Sequence, residues 1–257
     1  MITIPNRPDG TNMNEVQMRV APLQPEDSGR IELPETDVDI WSASIALGPE
    51  IRAWEGLLTP EERERAGRFR FQEDYQRFVY GRGLLRELLS RYVGSRPTEM
   101  RFNFSQQGKP ELAPGYATPI TFNLSHSGSH ILLAFAHDRR IGVDVELMRP
   151  DVEVEQIAKR FFSAKEQEVL ASLDKSALVP AFFRCWTRKE AYVKAVGTGL
   201  SLALDQFDVS LRPGEPADLM ATRPDPDEAR KWILRNIDIE TDYAAAFVVE
   251  RNPVLQE

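Results

Sequence analysis

Two acids two residues apart, Asp144 and Glu146, sit in the run Ile141-Gly142-Val143-Asp144-Val145-Glu146. Alternate residues of a strand share a face, so both carboxylates point one way while Val143 and Val145 point the other. Like charges side by side are unfavourable unless a cation lies between them. Further along, Trp186-Thr187-Arg188-Lys189-Glu190-Ala191-Tyr192-Val193-Lys194 puts Glu190 on one helical stripe with Phe182, Phe183, Trp186 and Val193. Glu190 would complete a set of three oxygen ligands for a hard cation such as Mg²⁺, with water and a substrate phosphate filling the shell. Lys194, one turn on, is free to reach a phosphate. The pattern reads as a metal site for phosphate chemistry. Plainer readings stand beside it: a solvated strand face for Asp144 and Glu146, and an ordinary surface helix pair for Glu190 and Lys194. The apolar run 141–145 argues against the first, because buried acids need partners, and the inward stripe argues against the second.

The elements that must position these groups follow from periodicity and punctuation. Val38 to Leu47 alternates as a strand. Thr59-Pro60-Glu61-Glu62 opens a helix with a Thr N-cap and Pro at the first helical position. A second helix is predicted over about 73–92, with Phe78, Leu84, Leu85, Leu88 and Leu89 as its stripe and Gly94 ending it. Arg101 to Phe104, Ile120 to Leu124 and Ile131 to Ala136 read as strands, with turns at 106–110 and 125–129. Helices follow at roughly 153–161, 163–173 and 180–196, the last closed by Gly197-Thr198-Gly199. Late strands at 207–210, 232–240 and 244–250 flank a Pro/Asp/Glu-rich loop at 212–230. Helices in clusters among strands make α+β the expected class. Residues 1–30 are rich in Pro, Asn, Asp and Gln without apolar period and are expected to be a disordered tail.

The chain has 257 residues, is 42% hydrophobic and 28% charged, and carries a net charge of −8, which suits a core-forming globular protein and disfavours nucleic acid or anionic lipid as partners. A single Cys185 leaves no internal disulfide and fits a reducing compartment. No apolar run approaches the ~20 residues of a membrane span, and the first residues lack the regions of a signal peptide. The expectation is a soluble cytoplasmic protein without a membrane partner.

Weaker signals are scattered between these runs. Gly108-Lys109-Pro110 alone reads as a turn, and Asn123-Leu124-Ser125-His126-Ser127 as a polar strand exit. Ser125 and His126 are neighbours in sequence, a poor arrangement for a nucleophile and its base. Together, however, Gly108-Lys109-Pro110, Phe122 to Ser127, Gly142 to Glu146, Phe161-Phe162-Ser163-Ala164-Lys165-Glu166 and Trp186 to Gly199 occur in the order found in Sfp-type 4′-phosphopantetheinyl transferases, which the chain resembles over roughly residues 57–210.

The resemblance implies a pseudo-dimer of two similar α+β halves, here 31–139 and 140–252, with coenzyme A in the cleft between them. It implies transfer of the 4′-phosphopantetheine arm to a serine of an acyl or peptidyl carrier protein, as in fatty-acid, polyketide or peptide synthesis, by a monomer. Asp144, Glu146 and Glu190 would hold Mg²⁺ or Mn²⁺. Lys194 would touch the diphosphate, and Glu166 aligns with the acid proposed as general base. Arg65, Lys109 and His126 would form a cationic nest around the phosphates, with Gly108, Asn123 and Ser125 in backbone or polar contact. Phe78 and Glu62 depart from the family pattern at the outer adenine contacts. Lys159, Arg160 and Lys165, with Phe161 or Phe162, are expected to face the carrier. Two rival classes use the same residues: a Mg²⁺-dependent phosphohydrolase of coenzyme A-like nucleotides, and a non-catalytic coenzyme A or carrier-binding module.

Overall fold

The computed structural model describes residues 18–22, 29–45, 51–105, 108–117, 119–197, 199 and 202–252. Its frame is two sheets. One has the order β1-β2-β6-β5, from Met18–Pro22, Val38–Ser44, His130–His137 and Ile120–Ser127. The other has the order β10-β11-β7, from Trp232–Asn236, Tyr243–Glu250 and Ile141–Leu147. Two short pairs, β3 with β4 (Phe102–Phe104, Pro110–Leu112) and β8 with β9 (Phe207–Val209, Leu219–Thr222), complete the strands. Helices α1 (Ile51–Gly56), α2 (Pro60–Ala66) and α3 (Gln72–Val93) precede β3. Helices α4 (Val154–Phe161), α5 (Ala164–Ala171) and α6 (Lys175–Val196) follow β7.

Alternation decides the layers. On β6, Ile131, Leu133 and Phe135 join the core under α3, whereas Leu132, Ala134 and Ala136 meet Ile141, Val143 and Val145 of β7 in a cluster shared by the two sheets. On β11, Ala246 and Val248 pack with α6 while Phe247 and Val249 belong to the shared cluster. Both faces of the central strands are therefore apolar, and the polar residues among them need specific partners. The result is a mixed α/β architecture.

Local chemistry explains most boundaries. Thr59 and Glu62 form a reciprocal capping box at α2, with Pro60 at its start. α6 ends at Gly197, whose φ of 80° is left-handed and whose N–H returns to the Val193 carbonyl.

Several expectations need correction. Met18–Pro22, placed in the disordered tail, is a strand parallel to β2, with Met18 packed on the shared cluster. Five residues paired with a distant strand leave little trace in composition; residues 1–17 and 23–28 lie outside the described residues. The turn expected at 125–129 shrinks, because β5 runs through Ser127 and β6 starts at His130. α6 begins at Lys175 with Pro180 inside it, and β9 lies within the expected loop at 212–230. Gln106 and Gln107 of the expected 106–110 turn are outside the described residues.

Candidate active site

The polar strand residues find their partners across the two sheets. Asn123 Oδ1 accepts from the Val143 amide at 2.9 Å, Ser125 Oγ from Val145 at 3.4 Å and Ser127 Oγ from Leu147 at 3.1 Å. Side chains at every second residue of β5 thus replace the ladder that a neighbouring backbone would supply. The same hydroxyls donate to the acids: Ser125 to Asp144 Oδ1 at 2.8 Å and Ser127 to Glu146 Oε2 at 2.8 Å.

Gly142 brings the other wall in. A Cβ there would sit 2.1 Å from the Ala191 carbonyl oxygen and 2.4 Å from the Ala195 amide nitrogen, so only glycine lets the α6 backbone lie on β7. That contact sets Glu190 and Lys194 against the acids. Lys194 Nζ donates to Asp144 Oδ1 at 2.6 Å, Ser125 Oγ at 2.9 Å and the Val143 carbonyl at 3.2 Å. Asp144 is 3% exposed, and its Oδ2 is buried with no partner among the described residues.

Burial pushes the Glu190 carboxyl up, and Asp144 and Glu146 push it further against the pull of Lys194. Burial raises Glu146 too, opposed by the Ser127 hydrogen bond and reinforced by Asp144. Among the described residues no three His, Cys, Asp or Glu side chains stand close enough to form a ready-made metal cage. An orphaned Asp144 oxygen beside two destabilised carboxyls nevertheless makes an oxygen-only donor set short of positive charge, which fits a hard divalent cation.

Glu190 and Lys194 also line a cavity of about 1050 Å³, with Trp186 and Val193 of α6 and Arg160 and Phe161 of α4. The lining also includes Arg65 of α2, Arg77, Phe78 and Arg82 of α3, Gly108-Lys109-Pro110, and Phe122, Asn123, Leu124 and His126 of β5. Lys109 Nζ donates to the carbonyls of Lys194 at 2.9 Å and Ile141 at 3.4 Å, so it ties the loop before β4 to α6 and β7. Burial holds its ammonium below the usual lysine range, Glu111 acting against that and Lys194 with it. Burial likewise lowers His126, helped by Lys194 and Arg77, and favours the neutral ring at neutral pH.

Of the residues singled out in the sequence, Arg65, Gly108, Lys109, Asn123, His126, Glu190 and Lys194 line the cavity, while Ser125 lies beneath Lys194 as a strut between β5 and β7. Glu166 does not reach it. It is 2% exposed; Oε2 accepts from the Ser163 amide at 2.9 Å and pairs with Lys189 at 2.8 Å, and Oε1 accepts from the Val209 amide at 2.8 Å. Both oxygens are engaged inside the core, where Glu166 caps α5 and serves as the counterion of Lys189. Ser163-x-x-Glu166 is a capping box, the signal in the sequence that pointed to this role. Glu62 is structural as well, capping α2 and pairing with Arg86 at 2.7 Å. Phe162 is buried in the core while Phe161 faces the cavity. Arg77 and Arg82 are cavity residues that no local motif announced.

With this geometry in hand, comparison with known proteins is specific. Residues 140–248 match the 4′-phosphopantetheinyl transferase superfamily model, and residues 47–138 match the model of the 4′-phosphopantetheinyl transferase N-terminal region. The chain is 40% identical over 193 residues to the 4′-phosphopantetheinyl transferase HetI of Nostoc sp., covering 75% of this chain and 78% of that relative. It is 33% identical over 190 residues to the 4′-phosphopantetheinyl transferase Sfp of Bacillus subtilis, covering 74% and 81%. Among solved structures, a holo-(acyl-carrier-protein) synthase from Bacillus anthracis in complex with CoA (3′,5′-ADP) aligns at 25% identity and a TM-score of 0.35, over 44% of this chain and 95% of that one. The chain belongs to the 4′-phosphopantetheinyl transferase superfamily.

Proposed function

We propose that this protein transfers the 4′-phosphopantetheine arm of coenzyme A to a serine hydroxyl of an apo acyl or peptidyl carrier protein. The serine oxygen attacks the β-phosphorus, the bond from that phosphorus to the bridging oxygen breaks, and 3′,5′-ADP leaves. The observation that carries this reading is the buried Asp144 Oδ2, without a partner among the described residues, beside Glu146, Glu190 and Lys194 and next to a cavity lined by cationic side chains. Such a transfer depends on positioning and on neutralising charge at the diphosphate.

Asp144, Glu146 and Glu190 would hold Mg²⁺ or Mn²⁺, which when bound would supply Lewis-acid stabilisation of the charge on the diphosphate being cleaved. Lys194 adds a fixed positive charge at the same place. Ser125 and Ser127 orient the two strand acids through their hydroxyls. Arg65 and Lys109, with His126 as a neutral donor, take the outer phosphates. With Glu166 sealed, the serine proton would go to Glu146, through the oxygen that the Ser127 hydroxyl does not occupy.

The pseudo-dimer reading draws support from internal likeness. Each of the proposed halves, 31–139 and 140–252, lays a 22-residue helix, α3 or α6, on a sheet built largely of antiparallel strands. Phe161 and Arg160 on the cavity wall suit carrier docking at its mouth. Among the described residues no helix is long and apolar enough to cross a membrane. A monomer acting in the cytoplasm is the proposed setting.

Incubation with coenzyme A and Mg²⁺, with and without an apo-carrier, tests the reaction. Release of 3′,5′-ADP only when the carrier is present, matched mole for mole by modified carrier, is expected. Free phosphopantetheine formed without a carrier would mean that water is the acceptor and that the protein is a hydrolase.

A further inference from the structure

Two cations that line the cavity, Arg77 and Arg82, have no part in the proposed transfer; Arg77 is paired with Glu73 and Asp74. Arg82 of α3 is 9% exposed and lines the cavity. Its guanidinium carbon lies 5.3 Å from the ring centre of Phe102, 5.6 Å from Phe104 and 5.8 Å from Phe78. Three aromatic faces therefore hold a planar, weakly hydrated cation in place, a setting that suits arginine and not lysine. Its one acidic partner is Glu62, 3.5 Å from Nε. That carboxylate already accepts from Arg86 at 2.7 Å and from the Thr59 amide at 3.0 Å. Nη1 of Arg82 is buried and has no acceptor among the described residues. A buried charged donor without an acceptor is costly, and a rigid one beside a cavity is poised for a ligand.

The surroundings state which ligand. Arg65 sits over Phe78 at 5.3 Å, so two guanidiniums share this end of the cavity. Glu62, the acid beside Arg82, is shared with Arg86, which leaves an excess of positive charge. Lys109 donates to two backbone carbonyls and Lys194 to Asp144, Ser125 and Val143, so of these three cations Arg82 is the one with a buried donor that has no acceptor among the described residues. The candidate metal ligands stand on β7 and α6, whereas Arg82 stands on α3 with its aromatic partners on α3 and β3. A phosphomonoester dianion flanked by an aromatic base is the complementary group.

We propose that Arg82 is a specificity-determining residue that recognises the 3′-phosphate of the coenzyme A nucleotide, in the company of Arg65. This rests on the coenzyme A reading but adds to it: Arg82 sets the preference for coenzyme A over its 3′-dephospho form.

The test compares kcat/KM for coenzyme A and for dephospho-coenzyme A, at saturating apo-carrier, in the wild type and in Arg82→Gln. The ratio of the two is expected to fall about 10–100-fold in the variant, the loss of one charge-assisted contact, with the change mostly in KM for coenzyme A. A ratio within about twofold of the wild type, or equal losses on both donors, would overturn the proposal. Should Arg82→Gln fail to fold, Arg82→Lys keeps the charge without the planar fork. Its ratio is expected to fall less but measurably, and an unchanged ratio overturns the proposal equally. Calorimetric binding of 3′,5′-ADP and of AMP separates this from the transfer reading. Arg82→Gln should weaken only the former, whether or not the wild type modifies a carrier.

Discussion

Helix α6 carries two lysines, Lys189 and Lys194, each of which meets a buried acid, and the two pairs differ in what is left over. Lys189 is fully buried, donates to the carbonyls of Leu204 and Phe207 at 2.6 Å each, and pairs with Glu166, whose oxygens are all engaged. Lys194 is 28% exposed, and its partner Asp144 keeps one buried oxygen without a donor. The first pair is closed and ties α5, α6 and β8 together. The second is open toward a cavity and surrounded by two further acids. Residues of one short motif thus divide into a satisfied pair and an unsatisfied one, and in the proposed function the second carries the chemistry.

The sharpest way to break this comparison is to remove the open pair's acid. Asp144→Ala is expected to lower kcat/KM by at least about 10³-fold, since several kcal/mol of charge stabilisation depend on it, while urea unfolding shows the fold retained. EDTA should have the same effect on the wild type. Full activity of Asp144→Ala in metal-free buffer would dissolve the distinction.

The closed pair should fail in the opposite way. Breaking it on one side, as in Lys189→Met, leaves a buried charge and is expected to cost about 3–5 kcal/mol of stability, measured by denaturant unfolding. Adding Glu166→Gln to that variant should recover part of the loss. If Glu166→Gln alone instead kept full stability and lost turnover with an altered acid limb, Glu166 would be catalytic after all.

A smaller effect separates the pairs by pH. Burial and the neighbouring acids raise the Glu190 carboxyl in the folded chain, so folding favours its protonated form. Its charge therefore costs stability above the raised value, and that cost disappears as pH falls below the ordinary carboxylate range. Glu190→Gln should raise the Tm of the metal-free protein at neutral pH, with the gain shrinking on acidification. A gain that grows on acidification would contradict the crowding.

Smallest of all, deleting residues 1–28 removes β1 from the edge of β2. A Tm lower by a few degrees, equivalent to about 1 kcal/mol, is expected with turnover little changed. An unchanged Tm would show that β1 adds nothing to the sheet.

What could be read in the sequence was what is encoded locally. The alternation of β7, the stripe of α6, the Thr59 cap and the glycine stop at Gly197 all follow from neighbours within one or two turns. The outer half of β5 could not be read so, because Ser125 and Ser127 look like turn residues until β7 supplies their backbone partners. The family resemblance points to Glu166 as a base, whereas Ser163-x-x-Glu166 encodes a helix cap, and the partners that enclose it, Lys189 and the Val209 amide, come from other elements. Arg82 had no local signature, since its environment comes from Phe102, Phe104 and Glu62 in other elements.

The central claim is that the open pair does the chemistry and the closed pair holds the frame. Intact-mass analysis of one apo-carrier, incubated with coenzyme A, Mg²⁺ and either the wild type, Asp144→Ala or Glu166→Gln at equal folded concentration, tests it most directly. The carrier should gain the mass of one phosphopantetheine arm with the wild type and with Glu166→Gln, and none with Asp144→Ala. Modification by Asp144→Ala, or its loss in folded Glu166→Gln, would contradict the account.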